Sequence, residues 1–403
     1  MGRLAQRLSF GLSAELWLVQ SGVFVNALGW GAVLPFEVIY LHDGRGFPLG
    51  TAGLIAGSVT GVAVLAAPLS GPLIDHFGAR AAAVGASVAL GLGYAALAFA
   101  QTETAAVAAA VAAGAGNGAL LPAQSTLLAS LAAPGLRHRV TAVSRVCTNA
   151  GFGLGGALGG LVASFGLSGL MALFLLNAAT YVVYVVVLIA IVREPPRPGL
   201  VASGYLRVLR DRPFLRLAAA NTALIAVGWG VFSWIVPLYA KSELRVSSEL
   251  VGMLLLANAL TVVVVQVPVA KLAEGRRRVV LMASSGAIFA GAYVLALAVP
   301  CFGTLLVTAV AIGLGECLHS AVLMPLVADL APPALRGRYM ASMGLSWWVG
   351  LALGPIVGTQ LLGVSTGLLF GACAAAASAA SVSLLALEPT LPEPSRLTPR
   401  PVT

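Results

Sequence analysis

The sequence predicts an all-α integral membrane protein of twelve transmembrane helices, arranged as two pseudo-symmetric six-helix bundles. Three observations predict this. Only 9% of the 403 residues are charged and 59% are hydrophobic, a balance that a soluble chain of this length could not carry without aggregating. Apolar runs close to the roughly 20 residues that a bilayer requires recur along the whole chain. A single offset of 199 residues lays the first half of the sequence over the second.

Taken in order, the apolar runs predict helices at 14–41, 50–70, 80–100, 104–131, 140–164 and 169–192, and a second set at 216–240, 248–271, 279–299, 304–330, 339–363 and 366–388. The first run is too long for a signal-peptide core and is read as the first span. With the N-terminus placed in the cytoplasm, 20 of the 23 Lys and Arg residues fall on inner segments, and only Arg45, Lys241 and Arg245 fall outside. That asymmetry predicts a multi-pass protein of the cell inner (plasma) membrane with both termini cytoplasmic. The basic residues are scattered over short loops, which excludes nucleic acid as a partner. The expected partner is the lipid bilayer.

The domain reading is an N-terminal bundle over 1–192, a cytoplasmic linker over 193–215, a C-terminal bundle over 216–388 and a disordered cytoplasmic tail over 389–403. The linker is set by a basic stretch containing Pro195, Pro196, Pro198 and Pro213. Cys147, Cys301, Cys317 and Cys373 have no CxxC spacing and imply neither disulfide nor metal.

The 199-residue shift superposes Gly29-Trp30-Gly31 on Gly228-Trp229-Gly230, Tyr40 on Tyr239, Tyr94 on Tyr293, Asn117 on Glu316, and Gly151, Gly155 and Gly159 on Gly350, Gly354 and Gly358. One offset held across five helix pairs points to two parallel repeats, an arrangement in which transporters place a site between halves.

Residues 71–80, Gly-Pro-Leu-Ile-Asp-His-Phe-Gly-Ala-Arg, form a polar island between two apolar runs, with Gly71 and Gly78 free to reverse the chain, Asp75 at the water boundary and Arg80 before the next run. This stretch resembles the signature loop of the major facilitator superfamily, Gly-x-Leu-Ala-Asp-Arg-x-Gly-Arg-Arg. It matches at Gly71, Leu73, Asp75, Gly78 and Arg80, and departs at His76 and Ala79, where the family has arginine. Residues 151–160, Gly-Phe-Gly-Leu-Gly-Gly-Ala-Leu-Gly-Gly, resemble the fifth-helix motif of the drug/proton antiporter branch, with Gly156 where that branch has proline. The second half keeps the proline, as Gly354-Pro355. Glycines four apart let a neighbouring helix approach closely; static packing is the alternative to gating for Gly155, Gly159, Gly354 and Pro355.

Glu316 lies near the middle of the tenth helix, where an ionised carboxylate costs on the order of 3 kcal/mol, so it must be paired, solvated or protonated. His319, three residues on, shares its helix face and is expected to exchange a proton or hydrogen bond with it. The resemblance implies that the first, fourth, seventh and tenth helices line a cavity, which would hold Asn117 and Glu316. A structural polar pair that fixes helix rotation is the alternative. Glu37, after Pro35-Phe36, is either an outer relay or a hydrated interfacial acid. Trp30, Phe36, Trp229, Trp234 and Tyr239 are candidate aromatic cavity lining, against interface anchoring. Arg145 is a candidate partner of Asp75, Glu274 or Asp329, against a snorkelling arginine. The resemblance implies that Asp75 docks near the start of the eleventh helix and holds one state closed.

No Walker loop or HExxH occurs, so no enzyme, cofactor or metal is expected and an ion gradient supplies the energy. The expectation is a monomeric secondary transporter working by alternating access, exporting a small lipophilic drug-like substrate or secondary metabolite against protons. Proton-coupled uptake of a small nutrient is the second reading. A non-transporting receptor or lipid-handling protein on the same scaffold is the reading from another class.

Overall fold

The computed structural model describes residues 12–132, 136–190, 205–332, 335–392 and 396. Its described residues form helices joined by short turns, with twelve helices long and apolar enough to cross a membrane. We label these α1 (Ala14–Gly44), α2 (Leu49–Phe77), α3 (Ala79–Phe99), α4 (Glu103–Leu131), α5 (Arg137–Ala163), α6 (Leu167–Ala190), α7 (Arg212–Ser242), α8 (Ser248–Ala273), α9 (Arg278–Ala298), α10 (Phe302–Leu330), α11 (Arg336–Val364) and α12 (Thr366–Leu387). With no water in hydrocarbon to bond free N–H and C=O groups, the apolar runs close their backbone bonds internally as helices.

Helix starts are capped by side chains. Ser13, Thr102, Asp211 and Ser365 accept from the backbone N–H of Leu16, Ala105, Phe214 and Leu368. Asp211 moves the start of α7 to Arg212, ahead of the expected 216. Pro213 occupies the first turn, where its missing N–H costs nothing, and so belongs to the helix and not to the linker. The Tyr339 hydroxyl donates to Asp211 Oδ2 at 2.6 Å and fastens this start to α11. Within the expected linker Tyr205–Val208 forms a short helix, and its residues 193–204 lie outside the described residues.

The expected reversal at 71–80 is narrower than its glycines suggest. α2 runs through Gly71 to Phe77, and the break is Gly78, whose φ of +94° a side chain would resist. Likewise the chain does not leave the protein at Glu388. Glu388–Thr390 forms a 3-10 turn, Glu388 makes a two-pronged ion pair with Arg277, and Leu391 is buried. Beside it Arg278, 1% exposed, pairs with Asp329 at 2.6 Å, tying the start of α9 to the end of α10.

Two compact units emerge. The first comprises residues 1–47 and 58–201; the second comprises 48–57 and 202–403. In the first, α1 packs on α5 and α6, and α3 on α4 and α6; in the second, α7 packs on α11 and α12, and α9 on α10 and α12. The packing repeats at the offset of the sequence. Gly114 meets Val59 and Val62 of α2, and its repeat mate Gly313 meets Asn258 and Thr261 of α8. α1 and α7 are the most buried helices, and both depart from regular α geometry. α1 carries a 3-10 turn at Leu34–Phe36 and a π-helical end at Tyr40–Gly44, whereas α7 is π-helical over Ala226–Ile235. Pro35 supplies no N–H for the α ladder at the first of these breaks.

Cys301 caps α10 and is exposed, whereas Cys317 and Cys373 are buried. Hydrogen bonds from the Thr304 backbone and side chain hold its thiol below the ordinary value. A membrane-impermeant maleimide should therefore label Cys301 in intact cells, and Thr304→Val should move the rate profile to higher pH, because the thiolate then forms later. Labelling only after permeabilisation would reverse the orientation read from the basic residues.

Candidate functional site

α10 carries an acid and a histidine three residues apart, and the neighbouring helices draw them to different partners. Glu316 is 8% exposed and turned into its unit, away from lipid. Asn258 Nδ2 of α8 donates to Glu316 Oε1 at 3.4 Å and to Ala309 O at 3.3 Å. Tyr293 of α9 and Cys317 lie within its electrostatic reach. His319 is equally buried, and its Nε2 lies 2.7 Å from Asn221 Oδ1 of α7. The expected Glu316–His319 hydrogen bond is therefore not formed: one side chain is held towards α8 and the other towards α7.

The bonds around His319 assign its tautomer. Ser346 of α11 spends its hydroxyl proton on Met343 O at 2.8 Å, so its oxygen accepts from Asn221 Nδ2 at 2.6 Å. The Asn221 amide oxygen then faces the imidazole, and Nε2 must carry the proton. Among the described residues neither Glu316 Oε2 nor His319 Nδ1 makes a hydrogen bond, and neither is among the fully sealed partnerless polar atoms of the interior. Each group is thus anchored by one atom and open at another. A proton can arrive at the open atom while the anchor stays in place.

Among the described residues Asn117, the repeat mate of Glu316, has no partner for Nδ2. The reason lies in the repeat: Asn258 corresponds to Val59 in the first half. Asn258, Asn221 and Ser346 are the residues that sequence reasoning missed. Their signal is asymmetry, since the 199-residue shift sets them against Val59, Gly22 and Cys147.

The aromatic candidates divide. Trp30 and Trp229 are half-buried and packed on Phe152 and Trp347 at 5.6 and 5.4 Å. Phe36, Trp234 and Tyr239 are only 1%, 1% and 3% exposed and are packed in the core of their units; Tyr239 lies edge-on to Phe370. Glu37 is 1% exposed, so it is not a hydrated interfacial acid. Its carboxyl acts on Tyr94, which in turn is hydrogen-bonded to Trp30.

Among the gating candidates, Gly155 and Gly159 set the backbone of α5 against Leu28 and Ala32 of α1, and Gly354 sets α11 against Gly230 of α7; a methyl group at any of these would strike backbone. Pro355 lies inside α11, its carbonyl accepting from Thr359 Oγ1 at 2.8 Å. Arg80 starts α3. Arg145 is exposed on α5, and one of its three candidate partners, Asp329, is held by Arg278. The Asp75 side chain lies outside the described residues.

The model of the family described as Major Facilitator Superfamily matches residues 21–235 and again 218–402. The chain belongs to the major facilitator superfamily. It is similar to the uncharacterized MFS-type transporter YttB of Bacillus subtilis (strain 168), 26% identical over 354 residues that cover 85% of this chain and 86% of the relative. It is equally similar to the multidrug resistance protein MdtH of Aeromonas salmonicida (strain A449), 26% identical over 358 residues and 85% of each chain. Among solved structures it resembles the peptide transporter POT in complex with sulfate, with a TM-score of 0.79, 17% identity and coverage of 94% of this chain and 95% of that one. It also resembles a D-xylose-proton symporter, with a TM-score of 0.73, 12% identity and coverage of 92% and 96%. These structures share its fold. The chain is accordingly a secondary transporter of this superfamily, a class without catalytic chemistry.

Asn221→Leu leaves the His319 Nε2–H and the Ser346 oxygen without their partner. Stranding a buried donor costs about 1–3 kcal/mol, so the thermal midpoint of the purified protein should fall. An unchanged midpoint would contradict the assigned hydrogen-bond order.

Proposed function

We propose that this transporter exports a lipophilic, neutral or cationic drug-like compound or secondary metabolite in exchange for protons. It does so as a monomer in the plasma membrane, with both termini cytoplasmic. The observation that carries the reading is Glu316: an acid deep in a spanning helix, held through Oε1 by Asn258 and left open at Oε2. An intramembrane acid is expensive to keep and is by default a site of ion traffic. With no lysine or arginine in the middle of α10, an ionised Glu316 favours a cation, and a protonated one releases it. Protons and cargo thereby compete for one carboxylate. His319 stands three residues away as a neutral acceptor at Nδ1, able to take a proton without releasing Asn221.

Export is the direction supported by the relatives named multidrug resistance protein MdtH. Alternating access would use the close backbone contacts at Gly155, Gly159 and Gly354, with Pro355 beside them, as sliding surfaces, and Gly71, Asp75, Gly78 and Arg80 as the inner latch.

In proteoliposomes with an imposed pH gradient, Glu316→Gln should abolish gradient-driven flux of a lipophilic cation such as ethidium. It should retain binding of a neutral lipophile within roughly tenfold, about 1.4 kcal/mol. Cells expressing the wild type should accumulate less ethidium until an uncoupler is added. Full flux in the variant would refute the role of Glu316, and increased accumulation would reverse the direction.

A further inference from the structure

The first unit contains a polar pair that the transport reading does not use. Asn177 of α6 is fully buried, and Asn26 of α1 is 8% exposed. Among the described residues neither amide has a partner at its nitrogen or its oxygen. The two share one seam. Gly22 and Gly29 both face α6, the first against the Tyr184 ring and the second against Asn177 Oδ1 and Thr180 Oγ1. Asn26 lies on the same stripe of α1 between them, one turn from Gly29. The Thr180 hydroxyl donates to Asn177 O of its own helix at 2.7 Å, and among the described residues neither amide nitrogen reaches its oxygen as a hydrogen-bond donor.

Four partnerless polar atoms along one helix–helix seam are costly in a membrane interior. The repeat shows that the fold does not demand them, because the same positions in the second half are Ile225 and Ala376. The chemistry of the pair also selects its ligand. Each amide offers two donor hydrogens and one acceptor oxygen. A cation would satisfy only the oxygens and an anion only the nitrogens. Water both donates and accepts, and a buried water commonly makes about three hydrogen bonds to otherwise unsatisfied groups.

We propose that Asn26 and Asn177 hold bound water between α1 and α6, in a hydration site of the first unit that is separate from the Glu316 site. Gly29 is required there because any side chain would strike Asn177 and Thr180. Tyr181, one turn from Asn177 and stacked on Tyr94 at 6.2 Å, is the aromatic reporter beside it.

Radiolytic hydroxyl-radical footprinting of the full-length protein in nanodiscs tests this, because radicals form from water held beside a side chain. Tyr181, although 4% exposed, should oxidise readily in the wild type and severalfold more slowly in the Asn26→Leu, Asn177→Leu double variant. An equal rate in the two proteins would overturn the proposal. A wild-type density map at a resolution that shows ordered water is the second test and needs no variant. Density within hydrogen-bonding distance of both amides supports the site, and amides bonded to each other or to backbone, with no water between, overturn it.

Discussion

A polar group in hydrocarbon must find a partner inside the protein or cost several kcal/mol. That constraint shapes this chain at every level. It makes the backbone helical, moves ionic residues to helix ends, and leaves the few polar side chains in the interior as exceptions that need a reason. At the ends the solution is pairing: Arg277 with Glu388 and Arg278 with Asp329 close the start of α9 onto the ends of α12 and α10. In the interior of the second unit the solution is a set of hydrogen bonds in which each titratable group is held by one atom.

This arrangement explains how one helix can carry two ionisable groups without their collapsing together. Glu316 and His319 share a face of α10, and a direct bond between them would lock a proton into the pair. Asn258 and Asn221 hold them apart on different neighbours. The anchors come from α8, α7 and α11, so a movement of any of these against α10 alters the surroundings of the open atoms. Under the proposed function, this geometry is what would couple conformation to protonation, as a ligand preferring one state biases any two-state element.

Much of the architecture was legible in the sequence because hydropathy and helix formation have one cause. The twelve spans, and the repeat at one offset, both follow from residues whose environment is uniform lipid. Boundaries shifted where a local rule outweighed hydropathy. Asp211 caps α7 ahead of a proline that reads as linker, and α2 continues through Gly71 because nothing there demands the positive φ that Gly78 adopts. The site was half legible. An acid in an apolar run stands out by its cost, whereas Asn221, Asn258 and Ser346 are ordinary in type and acquire meaning only once the rotation of each helix is known. The burial of Phe36, Trp234 and Tyr239 was not legible for the same reason: composition does not say which way an aromatic on a helix faces.

The central claim is that binding of cargo and release of a proton are one event at Glu316. Isothermal titration of the purified protein with tetraphenylphosphonium, in buffers of different ionisation enthalpy, counts the protons exchanged on binding. The account predicts proton release from the wild type and none from Glu316→Gln. Equal release from both, or none from the wild type, would contradict it.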